Sequence, residues 1–257
     1  MNARIIAITN QKGGVGKTTT AVSLAASLSA MKKKVLLIDL DPQGNATIGS
    51  GIHGTELDFT VADLLLGLIS IDNVIKDPGF GYDLLPANAQ LITAELKLSQ
   101  LEGREYQLRI ALQTKVGSYD FILIDCPPAL GILTVNALVA AHSVLIPVQC
   151  EYYALEGLAA LLLTLEQLKV VNPQLEIEGL LRTMYDGRNR LTQEVSEQLS
   201  THFAAKLYRT VIPRNVRLAE APSHGMPALN YCSQSHGAMA YLALAGEVIQ
   251  QHTVKSS

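Results

Sequence analysis

The 257-residue sequence predicts an α/β fold, a mostly parallel, twisted sheet with helices on both faces. Two observations carry that prediction. Short β-branched runs alternate with helix-period segments along the whole chain, as in successive strand–helix–strand units. The runs are also continuously apolar rather than alternating, which is how strands read when both of their faces are covered. Composition agrees: 48% hydrophobic and 17% charged residues supply a large core and exclude disorder as the main state. No repeat, low-complexity tract or Pro/Gly/Ser-rich linker divides the sequence, so residues 1–257 are expected to form one domain.

The elements follow in order. Strands are expected at 4–9 (RIIAIT), 34–40 (KVLLIDL), 119–125 (YDFILID), 143–149 (SVLIPVQ) and 175–185 (LEIEGLLRTMY). Helices are expected at 17–31, 91–112, 134–141, 155–171, 192–205 and 237–251, and residues 44–54 read as a glycine-punctuated loop. The apolar stretch near the N-terminus is too short for a signal-peptide core. The most apolar window, 154–168, is interrupted by Glu156, Gly157, Thr164 and Glu166, so no membrane span is expected. Cys126, Cys150 and Cys232 are an odd number at irregular spacing, which suits reduced thiols in a cytoplasmic protein better than a disulfide framework or a zinc site.

Directly after the first strand stands Gln11-Lys12-Gly13-Gly14-Val15-Gly16-Lys17-Thr18-Thr19, running into a helical pattern. Glycines let backbone N–H groups turn around phosphate oxygens, the following helix points its positive end at them, Lys17 neutralises charge and Thr18 offers a hydroxyl to Mg²⁺. This is a phosphate-binding loop in its strand–loop–helix context, and it makes the expected fold that of a P-loop NTPase. Gln11 stands where the strict pattern has its first glycine, and Lys12 adds a second lysine. A ligand-free glycine turn does not account for Gly16-Lys17-Thr18 after a buried strand, and a dinucleotide fingerprint lacks its third glycine here. Two strands end on acids, in DLDPQGN at 39–45 and IDCPP at 124–128. In a parallel sheet such strand ends converge on the ligand crevice, so Asp41 and Asp125 are candidates to face the magnesium, Asp125 in the manner of a Walker B acid. Either aspartate alone would pass for a turn residue; the loop shifts the reading to function.

Together KGGVGKTT, DLDPQGN and IDCPP resemble the ParA/Soj family of deviant Walker A ATPases, which segregate bacterial chromosomes and plasmids. The likeness extends over nearly the whole chain. YRTVIPRNVR at 208–217 and EAPSHG at 220–225 resemble the chromosomal, Soj-like branch. The resemblance implies that Lys12 is the signature lysine that reaches across an ATP-sandwich dimer to the partner's phosphates, that Asp41 positions or activates the attacking water, and that Thr18 binds magnesium. It also implies that Met184, Pro213 and Asn215 lie near the adenine. Hydrolysis would depend on dimerisation and be stimulated by a ParB/Spo0J-like protein.

Net charge is −3, which does not announce a nucleic-acid binder. Residues 179–220, however, hold seven basic against four acidic side chains, a surplus of three that leaves the rest of the chain at −6. Composition alone would make this a solvated face. The resemblance implies nonspecific double-stranded DNA binding by the ATP-bound dimer, for which Arg188, Arg190, Arg214 and Arg217 are the candidates, and a nucleoid-associated location. A MinD-like membrane-cycling ATPase is the alternative; it requires a basic amphipathic C-terminal helix, whereas 241–257 holds one Lys, one Glu and no Phe or Trp. An iron–sulfur ATPase would need bridging cysteines, and Cys126 and Cys150 read instead as small buried residues.

Overall fold

The computed structural model describes residues 3–53 and 57–255. Within them seven strands form one sheet: β1 (Arg4–Ile8), β2 (Val35–Asp39), β3 (Asp83–Leu85), β4 (Phe121–Asp125), β5 (Ser143–Gln149), β6 (Glu176–Tyr185) and β7 (Leu207–Pro213). Their order is β3-β2-β4-β1-β5-β6-β7, and every neighbouring pair is parallel. From β1 the chain runs to β2 and the edge strand β3, returns with β4 between β2 and β1, and then crosses to the other side of β1 for β5, β6 and β7; the crevice at the carboxyl ends beside β1 is where such a sheet receives a ligand.

Among the described residues twelve α-helices connect and cover the strands: α1 (Lys17–Ala30), α2 (Asn45–Gly49), α3 (Val61–Leu65), α4 (Ile71–Val74), α5 (Gln90–Leu98), α6 (Gln107–Leu112), α7 (Ile132–Ala140), α8 (Ala154–Leu168), α9 (Arg190–Phe203), α10 (Val216–Glu220), α11 (Ala228–Tyr231) and α12 (His236–Lys255). Strand residues alternate between two cores, as period-two side chains must. Ile5, Ala7, Leu36 and Ile38 pack beneath α3 and α5 to α9, whereas Ile6, Ile8, Val35 and Leu37 pack beneath α1 and α12. Both β2 and β4 are buried at every position, so their continuous apolar runs are a consequence of two covered faces.

Each of the five expected strands is present, and the structure adds one at each sheet edge. β3 is three residues long, and β7 interleaves buried Tyr208 and Ile212 with exposed Arg209, which dilutes its apolar signal. The helix expected over 91–112 is two helices: the chain leaves α5, takes left-handed backbone at Gly103 (φ 65°), makes a short 3-10 turn and enters α6. The glycine-punctuated loop contains α2, and its last residue, Gly54, lies outside the described residues. Among the described residues no helix is long and apolar enough to cross a membrane.

A phosphate-binding loop with converging carboxylates

The loop between β1 and α1 is anchored at three points. Asn10 is buried; its Nδ2 donates to the Pro147 carbonyl at the end of β5 (2.8 Å), and its Oδ1 accepts from the Lys12 amide (3.0 Å). Val15 is buried, and its carbonyl accepts from the Thr183 hydroxyl near the end of β6 (2.8 Å). Lys17 folds back so that Nζ donates to the Lys12 carbonyl (3.1 Å). Gly14 (φ 74°) and Gly16 (φ 87°) occupy left-handed backbone that side-chain-bearing residues avoid, which explains glycine at both. Among the described residues the amides of Gly13, Gly14 and Gly16 hydrogen-bond to no protein group, and α1 adds the unpaired amides of its own first turn. The result is a concave set of donors at a positive helix end, the geometry that binds phosphate.

The charges around the loop are set by burial. Desolvation lowers the Lys17 pKa, while the fields of Asp125 and Asp41 act to raise it. Asp39 and Asp125 end the neighbouring strands β2 and β4, are register partners and are wholly buried. Burial pushes Asp39 up to about 6, against the opposing pull of hydrogen bonds from Thr47 and the Asp41 amide. Burial first and the Asp39 charge second push Asp125 well above the usual carboxylate range; the Thr18 hydroxyl and Lys17 pull the other way. Among the described residues neither Asp125 oxygen has a hydrogen bond of acceptable geometry. Two buried carboxylates side by side, one without a well-formed hydrogen bond to either oxygen, form a site short of positive charge. A magnesium ion fits that deficit: it takes one or two carboxylates, a hydroxyl, waters and substrate phosphates rather than an all-protein cage. Among the described residues no group of three or more His, Cys, Asp or Glu forms a metal cage.

Lys12, Gly13, Gly14, Val15, Gly16, Lys17, Thr18 and Thr19 form the loop and the first turn of α1. Asp41 is almost buried two residues beyond β2; its Oδ1 accepts from the Gln43 amide (2.9 Å). Met184, Pro213 and Asn215 gather at the carboxyl ends of β6 and β7. Tyr185 is the register partner of Pro213, and Asn215 caps α10 by accepting from the Arg217 amide (2.9 Å). Met184 holds left-handed backbone (φ 48°) next to Thr183, the residue bonded to Val15. A separate cavity of about 250 Å³ beside Thr18 and Thr19, bounded by α2 and residues 218–228, includes none of those three. Arg188, Arg190, Arg214 and Arg217 are all exposed and follow the same two strand ends. Arg188 pairs with Asp186 (2.8 Å), Arg190 with Glu194 (2.8 Å) and Arg217 with Glu220 (2.7 Å), so the basic surplus is locally offset.

Sequence reasoning did not find Asn10, Thr47, Glu151 or Thr183. Asn10, a polar residue directly after a buried strand and next to the glycine loop, carried a readable signal. Glu151 did not: it pairs with Lys12 (Nζ to Oε2, 2.5 Å) across 139 positions of sequence and accepts from Gln149 Nε2 (2.5 Å).

The parallel sheet, the loop at its central strand and the facing acids define a P-loop nucleotide-binding protein. A family model described as an AAA domain matches residues 3–177. Chromosome-partitioning ATPase Soj of Thermus thermophilus is 51% identical over 247 residues (96% of this chain, 95% of the relative), and chromosome partitioning protein ParA of Caulobacter vibrioides is 49% identical over 252 residues (96% and 94%). The chain belongs to the ParA/Soj family of partitioning ATPases. Among solved structures it is similar to cobyrinic acid a,c-diamide synthase of Mycobacterium smegmatis with bound ATP analog and magnesium (TM-score 0.86, 37% identity, 98% of this chain and 96% of the other). It is also similar to the septum site-determining protein MinD of Pyrococcus horikoshii complexed with Mg-ADP (TM-score 0.80, 27% identity, 98% of each).

Proposed function

We propose that this chain works as one Mg²⁺-dependent ATPase domain that dimerises around ATP, binds double-stranded DNA without sequence preference as a dimer, and releases it on hydrolysis. The observation that carries the reading is the second lysine: Lys12 and Lys17 both belong to the phosphate loop of a ParA/Soj family member, one half-exposed and one buried. Lys17, together with the amides of residues 13–16 and Thr19, binds the phosphates of the ATP held in its own loop. Thr18, Asp41 and Asp125 would hold the magnesium, which would supply charge neutralisation on the phosphates. Asp41 orients the attacking water. Lys12 reaches the partner's phosphates, where an added cation stabilises developing charge as an arginine finger does. Met184, Pro213 and Asn215 border the base. A ParB/Spo0J-like protein stimulates hydrolysis, and the chain is cytoplasmic and nucleoid-associated.

In the free chain Glu151 competes for Lys12. The pair is partly exposed, so it is worth at most about 1 kcal/mol. Glu151→Gln should lower the ATP concentration that gives half-maximal dimerisation by about two- to fivefold. Light scattering across an ATP titration reads this directly; an unchanged or raised midpoint would contradict the competition.

The candidate DNA face consists of Arg188, Arg190, Arg214 and Arg217. Their offsetting ion pairs are no obstacle: Arg188 and Arg190 are 91% exposed, and such pairs are weak and readily exchanged for a phosphate. Dimerisation doubles the cations on the surface, and phosphate neutralisation accumulates steeply with their number. Replacing both Arg188 and Arg190 by Ala should weaken DNA binding and flatten the slope of log affinity against log salt by about two per protomer. Fluorescence anisotropy at several salt concentrations measures both.

Likeness to MinD favours a second reading, a membrane-cycling ATPase. That reading needs a C-terminal amphipathic helix free to meet lipid. Here α12 buries Ala238, Tyr241, Leu244, Ala245 and Val248 against the core, and Tyr241 shares a hydrogen bond with Thr20 of α1 (3.0 Å), which supports the DNA reading. Pelleting with plasmid DNA and with anionic vesicles, each with ATP and with ADP, separates the two. ATP-dependent pelleting with DNA alone is expected; ATP-dependent pelleting with vesicles alone would favour the alternative.

A further inference from the structure

One hydroxyl ties together the segment that carries Asp41. Thr47, fully buried in α2, donates its Oγ1 proton to Asp39 Oδ2 (2.7 Å), and its amide donates to the same oxygen (2.8 Å). That hydroxyl also accepts from the Ala87 amide (2.9 Å), just beyond β3. The other oxygen of Asp39 accepts from the Asp41 amide (3.1 Å). Midway along, Gly44 (φ 64°) lies so close to Ala87 that a Cβ would sit 2.9 Å from the Ala87 carbonyl oxygen. The segment from Asp41 to Thr47 is therefore held at both ends by Asp39 and pressed at its middle against the β3–α5 connection. A hydroxyl has one proton to give, so the network has a single sense: Ala87 donates to Thr47, and Thr47 donates to Asp39.

We propose that Thr47 is a positioning residue for hydrolysis, its hydroxyl fixing where the Asp41 carboxylate stands relative to the phosphate loop. The proposal rests on the reading of Asp41 as the group that orients water. Thr47 itself is enclosed by protein and acts through Asp39 and the loop. A side chain of the same shape without the hydroxyl leaves the Ala87 amide unsatisfied in a buried place and removes one of the two donors at Asp39 Oδ2. The segment can recover those bonds only by moving, and displacing a catalytic group by about 1 Å costs on the order of a hundredfold in rate.

The test compares Thr47→Val, which keeps shape, with Thr47→Ser, which keeps the hydroxyl, in steady-state ATP hydrolysis by the full chain with Mg²⁺. Wild type and Asp41→Ala are measured alongside. Thr47→Val should lower kcat by about 10- to 100-fold while KM and ADP affinity stay within about twofold, and Thr47→Ser should restore turnover close to wild type. If Thr47→Val does not fold, Thr47→Cys replaces it, since a thiol is only a weak donor. Wild-type kcat in Thr47→Val or Thr47→Cys overturns the proposal, as does an equal loss in Thr47→Ser. No ATP hydrolysis by wild type, or undiminished turnover by Asp41→Ala, would instead overturn the underlying ATPase reading.

Discussion

Asp41→Ala should slow ATP hydrolysis at least about 100-fold while leaving ATP binding and dimerisation intact, so that the protein accumulates as an ATP-bound dimer. The selectivity follows from where Asp41 stands. It lies beyond the end of β2, makes no hydrogen bond to the phosphate loop among the described residues, and is held through its amide by Asp39. Removing its carboxylate therefore leaves the loop's own anchors, Asn10 with Pro147 and Val15 with Thr183, in place. On the proposed reading, what is lost is the group that orders the attacking water, a contribution made in the transition state rather than in binding. Single-turnover hydrolysis beside nucleotide affinity distinguishes the outcomes. Wild-type turnover would remove the water-orienting role, and lost ATP binding would make the share of Asp41 in holding magnesium its main contribution.

Lys12→Ala should abolish ATP-dependent dimerisation and lower turnover by about a thousandfold, the scale of a lost cation at a transferring phosphoryl group. ADP affinity of the monomer should change little, because Lys17 remains. The structure separates the two lysines physically. Lys17 is buried against the loop, bonded to a backbone carbonyl and in the field of Asp125 and Asp41, whereas the Lys12 side chain is partly exposed and pairs with the partly exposed Glu151. One cation is built into its own site; the other is available to another. The Lys12 backbone carbonyl, which receives Lys17, is present whatever the side chain, so Lys12→Ala leaves that contact available. Size-exclusion chromatography with ATP that showed normal dimers of Lys12→Ala would refute the cross-dimer role.

The parts of the fold and of the site that are legible in the sequence are those whose signal is local. The five inner strands were legible because double burial forces continuous apolar runs, as in FILID at Phe121–Asp125. The edge strand Leu207–Pro213 was not, since its outward positions carry Arg209 and other partly exposed residues. The break at Gly103 was hidden within a sequence whose helical pattern continues on both sides of it. Within the site, Lys12 to Thr19 form a contiguous motif, and Asp41 and Asp125 end strands whose order predicts convergence. The supporting bonds are a different matter. Thr183 to Val15 spans 168 positions and Asn10 to Pro147 spans 137, and neither pair has any pattern in the intervening chain. Those bonds exist only once β1, β5 and β6 lie side by side. The basic stretch at 179–220 was legible as a charge surplus, but its partial neutralisation by Asp186, Glu194 and Glu220 is a matter of geometry.

In the proposed function ATP, and not ADP, brings two copies of this chain together through Lys12. Sedimentation velocity of the full chain with Mg²⁺, using ATP with Asp41→Ala and ADP with the same variant, decides it. A species of twice the monomer mass with ATP, absent with ADP and absent when Lys12→Ala is added, is the predicted result. A monomer under all three conditions, or a dimer indifferent to the nucleotide, would contradict it.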